Sequence, residues 1–247
     1  MNLKKYAKLR KYNNDDYMKT IKEYLNEGLI RKQLGNGTKT KIEEWLKEHD
    51  IGGYTINDDL TIDCSWGVQL KEYKEKELPD YIQFNKTINF WICDCPNLES
   101  LRGCPKKCDI FSCKGCPKLK SLEGGPEDCA HFKCNFCTSL KNLKGGPQHV
   151  LNYECCCCDS LESLEGAPQK NCLSFDCSNC KKLESLKGAP PKVNTLSVGR
   201  CSNIKSLDYL PQIKYQINCG GTNYKVFHRE RIIEKNGGVK IRVNKSY

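Results

Sequence analysis

The chain has 247 residues, 38% of them hydrophobic, and a formal net charge of +10. No apolar run approaches the roughly 18 residues of a membrane-crossing helix. The charged start MNLKKYAKLRKYNNDD has no apolar h-region, which excludes a secretory signal and predicts a cytoplasmic protein without a membrane partner. The charge is lopsided: residues 1–50 carry 12 Lys/Arg against 8 Asp/Glu, residues 222–247 carry 7 against 2, and the stretch between them is nearly neutral at 21 against 20. Basic ends offer a route to nucleic acid or to an acidic partner, and a neutral middle does not. Nineteen cysteines would read as a disulfide framework in a secreted chain. The odd count, the regular spacing and the missing signal instead predict reduced thiols that act as small apolar core residues.

In chain order, Tyr17, Ile21, Tyr24 and Leu25 fall on one face of a helix over 15–28, capped by Asn14 or Asp15 and ended by Gly28. GNGTKT reads as a loop. A second helix covers about 41–49, opened by a Thr40–Glu43 capping box and buried through Ile42, Trp45 and Leu46. Tyr54 and Ile56, then Leu60, Ile62 and Cys64, alternate with polar residues around Asn57-Asp58-Asp59, which predicts a hairpin continued by Val68 and Leu70. KEYKEKELPD follows as a charged loop. The tail from Thr222 breaks the pattern, with a turn at Asn236-Gly237-Gly238 and a strand through Val239, Ile241 and Val243.

Between these ends the chain repeats. Leu101, Leu122, Leu143, Leu164, Leu186 and Leu207 follow one another at 21 residues, with a single interval of 22. Pro105, Pro126, Pro147, Pro168, Pro190 and Pro211 keep step. So do Phe90, Phe111, Phe132, Tyr153, Phe175 and Leu196, and, three residues earlier, Thr87, Cys108, Cys129, Val150, Cys172 and Val193. Several columns locked to one period identify a solenoid, and 21 residues falls within the leucine-rich-repeat range of about 20–29. The fold class expected is α+β: a leucine-rich-repeat solenoid with one short parallel strand per repeat, an N-terminal helical and hairpin cap and a C-terminal β cap. The divisions are a helical region 1–50, a hairpin cap 51–86, about six repeats over 87–221 and a C-terminal cap 222–247. Within one repeat, Phe111 and Cys113 are two apart and share the inner face of a strand. Cys116 sits where the chain leaves that strand, where an Asn or Cys side chain can donate to backbone groups left unpaired by the bend.

The blocks LESLRGCP, LKSLEGGP, LKNLKGGP, LESLEGAP and LESLKGAP, each preceded by Cys, resemble the short leucine-rich-repeat proteins of tailed bacteriophages. They are also similar to the repeats of bacterial effector ubiquitin ligases. The phage likeness extends upstream to KIEEWLKEHDIGGYTINDDLTIDC and covers roughly residues 40–220. It implies the fold, and a phage factor acting on a host protein or a virion or assembly component. It implies no ligase activity, because the 26-residue tail has no cysteine and no room for a catalytic domain.

Cys113-x-x-Cys116 and Cys134-x-x-Cys137, 17 residues apart, have the spacing of a zinc site. The competing reading is interior core. The pairs are in phase with columns that zinc does not need, and Ile92 and Val198 replace the first cysteine in the end repeats. The GGP turns are too regular for phosphate cradles, no metalloprotease or nucleophile-elbow motif occurs, and no His is placed beside a Cys, so neither an enzyme nor a cofactor is expected. Function is expected on the side chains that alternate with the buried columns. They form the partner-binding strand face of a solenoid: Trp91, Ser112, Lys133, Glu154 and Asp176 in one row, Ile110, His131 and Asn152 in a second, and Lys114 in a third. Trp91 is either a binding anchor or covered by the N-terminal cap. The function expected is a non-catalytic protein–protein scaffold; the alternatives are nucleic-acid association through the basic ends and zinc binding.

Overall fold

Every 21 or 22 residues the chain lays down a short strand that pairs in parallel with its successor. The computed structural model describes residues 35–223 and 225–245 and is a solenoid of about seven stacked turns. The helix expected over 15–28 lies outside the described residues. Helix α1 (Gly35–Glu48) comes first. The antiparallel pair β1 (Tyr54–Ile56) and β2 (Ile62–Cys64) follows, and then β3 (Val68–Lys71). The repeats supply β4 (Phe84–Thr87), β5 (Asn89–Cys93), β6 (Lys107–Ser112), β7 (Asp128–Lys133), β8 (Asn152–Glu154), β9 (Ser174–Asp176), β10 (Lys192–Ser197) and β11 (Gln212–Asn218). A short helix α2 (Arg229–Lys235) and β12 (Arg242–Asn244) close the chain.

The register is the one the periodicity implies. Phe90, Phe111, Phe132, Tyr153, Phe175, Leu196 and Ile217 are successive strand partners, all fully buried. Their rings stack, with Phe90–Phe111 at 5.7 Å and Phe111–Phe132 at 5.4 Å, both nearly parallel. Each such aromatic and each leucine of the return side is worth roughly 1.5–3 kcal/mol of burial. The second cysteine of each pair forms a ladder beside them. Cys137 Sγ donates to the Cys113 carbonyl (3.2 Å), Cys158 to Cys134 (3.3 Å), Cys180 to Cys155 (3.2 Å) and Cys201 to Cys177 (3.0 Å). The thiol therefore does on each rung what an asparagine amide would, with a weaker donor.

Two columns of left-handed backbone turn the chain. Asp94, Gly115, Phe136, Cys157, Asn179, Arg200 and Gly221 all have positive φ just after the strand, and the N–H groups of the first six donate laterally, as Phe136 does to the Cys156 carbonyl. On the return side Gly103, Gly124, Gly145, Gly166 and Gly188 have φ of 82–95°. A Cβ at Gly124 would stand 2.8 Å from the Arg102 nitrogen, so rungs could not close to this spacing around an alanine. Beyond that turn runs a column of alternating sign: Asp80, Arg102, Glu123, Lys144, Glu165, Lys187, Asp208 and Lys235. It includes the ion pairs Arg102–Asp80, Lys144–Glu165 and Lys235–Asp208.

Four local expectations need correction. GNGTKT is helical, because Thr38 extends the buried stripe of Ile42, Trp45 and Leu46 by one turn. Thr40 therefore sits inside α1 and does not cap it. Trp45 packs at 6.4 Å from both Tyr73 and Phe84, closing the open end of the coil, and that burial outweighs two glycines of poor helix propensity. Val68 and Leu70 do not prolong the hairpin; β3 pairs in parallel with β5, and β2 with β4, so the solenoid begins within the segment read as its cap. The C-terminal cap is not β alone. RERIIEK is a helix burying Ile232, Val239 is exposed, and only Arg242–Asn244 pairs, in parallel with β11.

Candidate binding surface on the strand face

The three outward rows expected from alternation are laid side by side by the ladder. Trp91, Ser112, Lys133, Glu154, Asp176, Ser197 and Asn218 are successive partners. Asn89, Ile110, His131, Asn152, Ser174 and Thr195 form the row before them. At about 4.8 Å between rungs, neighbouring side chains touch, and here they satisfy one another. His131 and Asn152 hydrogen-bond at 2.9 Å. Lys133 and Glu154 form an ion pair at 3.1 Å, and Asn135 donates to the other oxygen of Glu154 at 2.9 Å. Asp176 accepts from the Ser178 backbone N–H. Ser197, Asn218 and Asn244 continue the chain of amide and hydroxyl bonds toward the C-terminal end.

Not every expected residue is available. Ser112 is 4% exposed and accepts from the Cys93 thiol at 3.2 Å, so it is a structural link and not a contact residue. The large neighbours Trp91 and Lys133 leave a serine between them sunk below the surface. Ile110, His131, Asn152, Glu154 and Asp176 are half-buried, and Lys114 is exposed. Trp91 is half-buried too. Its ring lies against Gly67, whose missing Cβ would stand 3.0 Å away, so the preceding rung covers part of it. The more exposed tryptophan is Trp66, at 68%, lying across the Gly52-Gly53 backbone.

Alternation along the strand did not point to Phe136. It is 46% exposed at φ 61°, a conformation that places Cβ against the following carbonyl and that bulky side chains avoid. Lys114 lies 5.5 Å over its ring. An aromatic in the left-handed column, where most other rungs carry Gly, Asn, Asp or Cys, was the signal available in the sequence.

Several of the buried thiols are held protonated. Burial pushes Cys104, Cys134 and Cys155 well above the ordinary cysteine range, and raises half-buried Cys156 to about 12, with Asp176 adding to it. Among the described residues, no three Cys, His, Asp or Glu side chains converge as a metal-ion site. Nor is any helix among them long and apolar enough to cross a membrane. Comparison with protein-family models, with curated proteins and with solved structures finds no match to this chain.

Proposed function

We propose that the protein is a non-catalytic scaffold that docks a protein partner on its strand face. The observation that carries this reading is the in-register polar network from His131–Asn152 through Lys133–Glu154–Asn135, bordered by Trp91 on one side and the Lys114–Phe136 pair on the other. Side chains already fixed by their neighbours lose little rotamer freedom on binding, which favours a preformed recognition platform. A half-exposed aromatic at each margin supplies the anchors such surfaces use. The likeness of the repeats to phage-encoded proteins makes a host protein the first partner to try.

The experiment is affinity capture from a host lysate with four baits: the wild-type protein, Trp91→Ala, Lys114→Glu and the back-face control Lys187→Glu. A partner retained by wild type and control but lost from both face variants supports the reading. Retention by all four baits, with thermal melts showing all folded, removes the strand face as the site.

A further inference from the structure

A second surface lies along the other end of the strands, and its chemistry differs. The column entering each strand is Lys86, Lys107, Asp128, His149 and Lys170, linked rung to rung by parallel pairing, with Lys192 at the start of the next strand. Two or three residues further on, Ile88, Leu151 and Leu173 are 50%, 43% and 44% exposed, and Asp109, Ala130 and Asn194 occupy this place on the other rungs. Between them the buried column of Cys108, Cys129, Val150, Cys172 and Val193 forms an apolar floor. The result is a trough of two adjoining hollows of about 430 and 470 Å³ that share Asn171. Six rungs separated by five gaps of about 4.8 Å make it roughly 24 Å long, the span of about seven residues of extended chain.

Some of the surface lysines are neutralised locally. On the return side and flanks, Lys76, Lys144, Lys181, Lys205 and Lys235 each meet a carboxylate. Lys86, Lys107, Lys170 and Lys192 are exposed and show no ion pair among the described residues. Two lysines at each end of a row that also holds Asp128 and His149, beside exposed aliphatics interrupted by Asp109, favour a ligand that is acidic on one edge and apolar on the other. A strand-like peptide alternates its side chains in that way. The 34 residues before α1 carry nine Lys/Arg against four Asp/Glu, so this chain's own N-terminal segment has the wrong charge for the trough. The apolar wall is aliphatic, with no aromatic to stack on bases, which disfavours a single-stranded nucleic acid.

We propose that this trough is a second docking site, independent of the strand face, for an extended partner segment of about seven residues that carries Asp or Glu alternating with Leu, Ile or Val. The lysine row steers and registers the acidic side chains, and the aliphatic row with its buried floor takes the apolar ones.

The test is selection of a random twelve-residue displayed peptide library on the full-length protein, counter-selected on Lys107→Glu/Lys170→Glu/Lys192→Glu. These exposed, unpaired positions leave the core untouched, and a thermal melt confirms the fold. The expected result is enrichment of acidic, aliphatic peptides that bind the triple variant and Leu151→Ser/Leu173→Ser at least about tenfold more weakly, weaken with added salt, and bind Lys114→Glu normally. The proposal is overturned by any of four results. These are no enrichment above background, enriched peptides that are basic or neutral, equal binding to the triple variant, or oligothymidylate that outcompetes the selected peptides. A failure of the strand-face reading would leave these outcomes unchanged, because the variants lie on separate surfaces.

Discussion

Tyr153 is the one tyrosine in a column otherwise built of phenylalanine and aliphatic residues, and its hydroxyl is buried without a hydrogen-bond partner. The group points at Gly146, where a Cβ would come within 2.7 Å of it. Leaving a buried hydroxyl unsatisfied costs about 1–3 kcal/mol. Tyr153→Phe removes that cost and keeps the ring stacked between Phe132 at 4.9 Å and Phe175 at 5.6 Å. The dispersion energy that goes with a single oxygen atom amounts to a few tenths of a kcal/mol, so the expected net gain is about 1–2 kcal/mol. The assay is urea unfolding under reducing conditions, read as a higher midpoint at unchanged slope. The converse change one rung away, Phe132→Tyr, should lose about 1–3 kcal/mol by the same argument. Gly146→Ala should cost more in the wild type than in the Tyr153→Phe background, because only the former has a hydroxyl in the way. A Tyr153→Phe midpoint equal to or below that of the wild type refutes the reasoning, since the hydroxyl would then have a partner in solution.

Other outcomes follow from features of the coil. Gly166→Ala, at φ 95° with its Cβ driven into the Leu143–Lys144 backbone, should cost more than about 2 kcal/mol and show as a lowered thermal midpoint; a near-neutral result would mean that the rungs can spread. Phe136→Gly should hold stability within about 1 kcal/mol, relief of the left-handed strain offsetting removal of the ring beneath Lys114, while partner capture falls; unchanged capture would exclude Phe136 as an anchor. Stability should fall steeply above the ordinary cysteine pKa of about 8.5. Burial raises the folded-state pKa values of Cys104, Cys134 and Cys155, so their contribution is complete below the unfolded value. Above it the unfolded chain releases protons that the folded chain keeps, at about 1.4 kcal/mol per thiol per pH unit. Denaturant midpoints that stay flat from pH 8 to about 10 would contradict that burial. Finally, chelation with EDTA should leave the melting curve of the reduced protein unchanged; a lower midpoint would restore the zinc reading of Cys113, Cys116, Cys134 and Cys137.

The repeat was legible because burial imposes the same residue type at the same place on every rung. Phe111, Cys113, Cys116, Leu119 and Leu122 announce their own depth. The ends were less legible for the opposite reason. A cap occurs once, so nothing in the sequence echoes it, and α1 and α2 were misjudged at Gly35–Thr40 and Arg229–Lys235. On the strand face the alternation rule gave direction but not depth. It put Ser112 outward, where the backbone aims it, and could not see that its neighbours stand taller. Phe136 and the lysine trough were not legible because neither follows from alternation within a strand. Phe136 belongs to the bend after it, and the lysines gather only when the register sets the strand entrances side by side.

The column of alternating charge on the return side bears on assembly. Inside the coil most rungs are close to interchangeable, so a Phe or a Leu cannot tell its true neighbour from the next one along. Asp80, Arg102, Glu123, Lys144, Glu165, Lys187, Asp208 and Lys235 distinguish odd rungs from even ones. If a partly folded chain docked one turn out of place, or two molecules exchanged turns with an offset of one, each charge would face its own kind. At a few tenths of a kcal/mol per contact, no single pair decides the outcome, but the penalty accumulates over the stack. The surface thus carries a parity check on a core that could not proofread itself.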